Sequence, residues 1–161
     1  MREIDVVQAD LSRAAHRQAV VDLVDAYARD PMGGGRPLPE DVRQRLGEGL
    51  RDHPTTLVLL AYDGDEPIGV AVCFVGFSTF AARPLVNIHD LAVLPTYRGQ
   101  GVGRALLEAV ERKARELNCC KLTLEVFENN EKARRTYEAA GFAQAMYAEA
   151  AGGAIFLSKP L

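Results

Sequence analysis

Apolar positions recur at two spacings along the chain, and the spacing switches where prolines and glycines fall. Residues 4–9 read as a first strand. A helical spacing follows, with Ala15, Ala19, Leu23 and Ala26 on one face and Ser12 placed to cap a helix running to Tyr27 or Arg29. The run Asp30-Pro31-Met32-Gly33-Gly34-Gly35-Arg36-Pro37 ends it, because no helix continues through that density of prolines and glycines. A shorter helix is predicted over residues 40–52. Residues 55–62 read as a strand with an apolar centre, Leu57-Val58-Leu59-Leu60. The hairpin turn Asp63-Gly64-Asp65-Glu66 follows, with a partner strand over residues 67–77. A further strand over residues 85–94 is ended by Pro95.

The clearest helix spans residues 102–118. Leu106, Val110 and Leu117 share its apolar face, and Glu108–Arg112 and Glu111–Arg115 form supporting pairs. Residues 121–127 read as a strand. Asn129 or Asn130 caps a last helix that stops at Gly141. Residues 142–149 and 154–159 are predicted to close the fold as two strands joined by Gly152-Gly153. The order β-α-α-β-β-β-α-β-α-β-β makes an α/β fold with a mixed, mostly antiparallel central sheet and helices on both faces.

Composition narrows the function classes. A chain of 161 residues suits one domain over residues 1–161. No apolar run approaches the roughly 20 residues of a membrane-spanning helix, so no membrane partner is expected. The start, Met1-Arg2-Glu3-Ile4-Asp5, lacks the apolar core of a signal peptide, which places the protein in the cytoplasm. A net charge of -3 argues against a nucleic-acid partner. Cys73, Cys119 and Cys120 have no metal-ligand spacing and read as reduced thiols, so no metal is expected.

The loop Tyr97-Arg98-Gly99-Gln100-Gly101-Val102-Gly103-Arg104 joins a strand to a helix. Its glycines remove side chains that would hold a ligand away from the backbone, and the helix start offers free N–H groups and partial positive charge. Arg98 and Arg104 add full charges, so the loop suits a pyrophosphate. It is neither a P-loop, since Arg104-Ala105 stands where Lys-Ser/Thr is required, nor a dinucleotide fingerprint, whose third glycine is missing.

Arg98-x-x-Gly101-x-Gly103 resembles the Arg/Gln-x-x-Gly-x-Gly/Ala signature of the GNAT superfamily of N-acetyltransferases. The preceding strand, Asn87-Ile88-His89-Asp90-Leu91-Ala92-Val93, is similar to the family's central strand. Asn130-x-x-Ala133-x-x-x-Tyr137-x-x-x-Gly141-Phe142 resembles its later motif. The resemblance covers residues 4–159 and is weakest over residues 30–52. It implies acetyl-CoA as cofactor, held through Leu91, Val93, Arg98, Gly99, Gln100, Gly101, Val102, Gly103, Arg104 and Asn130. It also implies that the strand through Leu91 and Val93 splays from residues 121–127 to admit pantetheine, with a backbone N–H near Leu91 polarising the thioester carbonyl.

Tyr137 is either a core aromatic or, as the resemblance implies, the acid that protonates the departing thiolate. His89 aligns with a glutamate found at that position in diamine acetyltransferases. A histidine there suits removal of a proton from an ammonium, and a structural hydrogen bond is the alternative. Asp90 alternates to the opposite strand face, and Glu125 is a second candidate base. His16 and His53 read as surface residues. Residues 30–39 form either a lid over the acceptor or an exposed linker. Phe74, Phe77 and Phe80 either line an acceptor pocket or fill the core. Asp22, Asp25 and Asp30 would suit a cationic acceptor if they are more than solvated helix residues. The family acetylates small amines and peptide amines and often forms homodimers. The expected activity is acetyl transfer to a primary amine in a ternary complex, and a non-catalytic acyl-CoA sensor is the alternative.

Overall fold

A computed structural model describes residues 4–146 and 148–161. Five strands form one sheet in the order β1-β2-β3-β4-β5. β1 is Ile4–Gln8, β2 Thr56–Asp63, β3 Glu66–Ser78, β4 Arg83–Val93 and β5 Leu122–Leu124. The first three pairings are antiparallel. β5 joins β4 in parallel after the crossover helix α3, Val102–Glu116. Helices α1, Ala14–Arg29, and α2, Glu40–Asp52, precede β2, and α4, Glu131–Ala139, follows β5.

Strand alternation divides the core. Leu57, Leu59, Ala61, Ala71 and Cys73 face Val102, Leu106 and Val110 of α3. Val58, Leu60, Val70 and Val72 face Val20 and Leu23 of α1 and Leu50 of α2. Gly69 lets α3 approach closely, since a Cβ there would lie 3.0 Å from Val102 and 3.1 Å from the Ala92 carbonyl. Among the described residues no helix is long and apolar enough to cross a membrane.

Several local expectations change. Ser12 does not cap α1, because its amide and hydroxyl both bond the Asp10 carboxylate, and Arg13 precedes the helix without a side-chain cap. Leu117 is 46% exposed rather than on the apolar face, since α3 ends at Glu116 and Asn118 turns left-handed with φ 57°. Glu108 accepts from Arg104 at 2.8 Å, the opposite direction from its expected partner Arg112, while Arg115 pairs with Glu111 at 2.6 Å.

The fifth strand holds three residues instead of the span 121–127, and neither closing strand forms among the described residues (Tyr147 lies outside them). The two segments meet through Ala154 N–H donating to the Ala145 carbonyl at 3.4 Å, and Ile155, Phe156 and Leu157 are exposed. An apolar run becomes a strand only where a sheet edge can satisfy its backbone groups, and β5 offers an edge of three residues.

Candidate active site

β4 pairs with β5 only at Val86, Asn87 and Ile88, and the Asn87 side chain ties the two strands through Thr123 Oγ1 at 3.0 Å. From His89 to Val93 no strand lies on that side among the described residues. The ladder determines which groups face the opening. Leu94 N–H donates to the Ile68 carbonyl on β3, so by alternation Leu91 and Val93 turn their N–H and C=O groups the other way, into the gap. The Val93 carbonyl there accepts from Arg98 Nε at 3.0 Å.

A bulge sits in the same strand. Val72 pairs with Asp90 and Cys73 with Ile88, which leaves His89 as the extra residue. Asp90 therefore does not alternate to the face opposite His89. The His89 ring lies edge-on to Phe74 at 5.6 Å, on the face that α1 and α2 cover, and Asp90 interacts with Tyr27 of α1 on that face. Burial raises the Asp90 carboxyl above the usual carboxylate range, with His89 opposing the shift. Burial also raises Tyr27, helped by Asp90 and then Asp30.

Tyr137 stands on α4 against the α3-side core, its ring edge-on to Phe142 at 6.0 Å. Burial, and then the neighbouring Tyr27, pushes its phenol up to about 12. No hydrogen bond of the Tyr137 hydroxyl occurs among the described residues. Tyr27 and Tyr137 thus interact across elements remote in sequence. Tyr27 escaped the sequence reading because its only signal there is the final turn of an amphipathic helix. Asn130 caps α4, accepting from Ala133 N–H at 3.3 Å. Glu125 lies beyond the end of β5 and is exposed.

The glycine loop ends on the N-terminus of α3. Gly99 and Gly101 have φ of 75° and 87°, and a Cβ on either would meet nothing within 4 Å. Gly101 caps the helix without a side chain, leaving the first-turn amides of Val102, Gly103 and Arg104 outside the helical ladder. Gln100 turns back to the Thr96 carbonyl at 2.8 Å. The arginines are not free charges: Arg98 meets Asp30 at 2.8 Å, and Arg104 meets Glu108. Asp30 also accepts from Met32 N–H, and that bond, followed by Arg98, holds its carboxyl below the usual carboxylate range. The segment after α1 is thereby fastened to the glycine loop.

The expected acidic acceptor side is compensated throughout. Asp25 is buried and accepts from Leu38 N–H and Arg29, each at 2.9 Å. Asp22 bonds Gln18 at 2.8 Å and lies 3.7 Å from Arg43. Phe74 reaches the face that α1 and α2 cover, whereas Phe77 and Phe80 are 64% and 97% exposed and do not fill the core. His53 is not an isolated surface residue, since its ring lies 4.9 Å from Phe74.

Residues 20–142 match the model of the acetyltransferase (GNAT) family. An uncharacterized N-acetyltransferase of Archaeoglobus fulgidus is 37% identical over 81 residues, 50% of this chain and 55% of that protein. A thialysine N-epsilon-acetyltransferase of Bos taurus is 32% identical over 74 residues, 46% of this chain and 43% of that one. These curated relatives are thus matched over about half of their own length. A crystal structure of a probable acetyltransferase superposes with a TM-score of 0.79 at 23% identity, covering 97% of this chain and 99% of the other.

Proposed function

The chain belongs to the acetyltransferase (GNAT) family, and on that premise we propose that it moves an acetyl group from acetyl-CoA to a primary amine of a small molecule or peptide. The carrying observation is the opening beside β4, lined by the outward backbone of Leu91 and Val93 and adjoining the glycine loop. The residues fit the cofactor: an extended amide-bearing arm needs a strand edge without a partner, and a pyrophosphate needs helix-start amides reached without side-chain obstruction.

In this reading the amides of residues 99–104 hold the pyrophosphate, while Arg98 holds the end of β4 to the loop. The Leu91 and Val93 amides hold the arm and polarise the carbonyl. Asn130 fixes the start of α4 and so the height of Tyr137. Acetyl-CoA supplies an acyl group already activated toward an amine. His89 takes a proton from the substrate ammonium, the freed amine attacks the thioester carbonyl, and Tyr137 protonates the departing sulfur. A phenol held above its ordinary value stays protonated at neutral pH, so the hydroxyl is present as the donor when the sulfur departs. Attack is direct, with donor and acceptor entering from opposite sides of β4.

Titration with coenzyme A tests the first half. A calorimetric heat and a thermal shift are expected with coenzyme A and not with NAD. Release of free thiol from acetyl-CoA on adding a mixed amine library tests the second half. Coenzyme A binding without thiol release across the library would leave a sensor instead of an enzyme.

A further inference from the structure

Beyond His89 the acceptor-side face continues into an open groove of about 310 Å³ between α2 and β3. Val42, Leu46 and Leu50 of α2 line it together with His53 at that helix's C-terminal end and Phe74 of β3. The Phe74 ring meets both His53 and His89, at 4.9 and 5.6 Å between ring centres, so one side chain of the groove wall also touches the proposed base on β4. Its one charged lining residue, Arg45, is paired with Asp41 at 2.8 Å.

The charges nearby bear on what enters. A polyamine or aminoglycoside needs several carboxylates free to meet its several ammonium groups. Asp22, Asp25 and Asp30 are engaged by Arg43, Arg29 and Arg98 and by backbone amides. Asp90 has no lysine or arginine beside it among the described residues, and the β4 bulge turns it toward the face of His89. One carboxylate and an apolar groove describe a ligand with one cationic group and an apolar remainder. The groove volume, at the low end for ligand sites, matches a single ring or a short branched chain.

We propose that the acceptor is a small monoamine with an aryl or branched-alkyl tail, its ammonium at Asp90 and His89 and its tail on Phe74 against α2. The inference rests on the N-acetyltransferase reading. Thiol release is measured with phenethylamine, ethylamine, spermidine and a phenylalanyl dipeptide amide. Phenethylamine should exceed each of the other three in kcat/KM by about tenfold or more, the discrimination an apolar subsite provides. Leu46→Asp should lower the phenethylamine-to-ethylamine ratio by a similar factor, chiefly through KM. Val42→Ser, a milder change on the same wall, gives the same reading if the first variant melts early. Preference for spermidine or for the dipeptide, or a ratio unmoved in both variants, overturns the proposal. If no amine releases thiol, calorimetry with phenethylamine in the presence of coenzyme A separates the two ideas. Binding that weakens in the α2 variants sustains the groove and removes the enzyme, whereas no binding removes the groove as well.

Discussion

Single side chains at this site are set by which groups burial and the β4 bulge bring together. Tyr137→Phe keeps the ring against Phe142 and loses only the hydroxyl, so the variant should fold and bind acetyl-CoA. Turnover should fall by the roughly 10²–10⁴-fold that losing a general acid costs. Single-turnover kinetics check this, and a loss confined to KM would make Tyr137 a positioning residue. Because burial pushes the phenol up to about 12, no alkaline loss of activity should trace to it within a practical assay range. His89→Gln should slow turnover while leaving acetyl-CoA binding intact.

Asp90 carries a stability prediction with a definite sign. Its folded pKa is raised, so the folded state holds the proton more tightly than the unfolded chain. That contribution favours folding below the ordinary carboxylate value, about 3.9, and is lost as pH rises through the folded value. At neutral pH the ionised carboxylate therefore costs stability. Asp90→Asn should raise the melting temperature at pH 7 by roughly 2–4 °C and lose that advantage near pH 4, read by thermal scans at both pH values.

The elements divide into those whose local signal suffices and those that need a neighbour. α2 runs over Glu40–Asp52, the predicted span, because prolines precede it and its polar positions recur at helical spacing. The glycine loop was legible for a similar reason: glycines at a strand-to-helix junction restrict the backbone whatever packs around them. Gly103 lies inside α3, where a Cβ would make only ordinary contact with Val93 at 3.9 Å. Gly103→Ala should therefore fold and Gly103→Asp should fold too, while the aspartate abolishes coenzyme A binding by calorimetry through repulsion at the helix start. Gly101→Asp is the less clean variant, since φ of 87° adds about 1–2 kcal/mol of backbone strain. The closing strands do not form because an apolar run such as Ile155-Phe156-Leu157 becomes a strand only beside an edge that can pair its backbone, and the short β5 edge does not supply one.

Across the whole molecule, the Asp30–Arg98 pair fastens the segment after α1 to the glycine loop over a separation no local pattern reveals. A Cβ at Gly33 would collide with the Tyr27 carbonyl, so the same segment is pressed against the α1 end that carries Tyr27. Asp30→Asn should change global stability little, as expected for a partly exposed pair worth about 1 kcal/mol or less. Cleavage within residues 33–36 should nonetheless rise several-fold in limited proteolysis, because that segment loses its tie. Strand and helix periods, the turn residues and the two motifs determined the family, the order of the first nine elements and the place of the glycine loop, since each depends on neighbours a few residues apart. Tertiary structure alone decided that Asp90 shares a face with His89, that Arg98 holds Asp30, that Tyr27 approaches Tyr137, and that His53 and Phe74 wall an apolar groove. Those pairings depend on one bulge in β4 and on which helix covers which face of the sheet, and neither leaves a period in the chain.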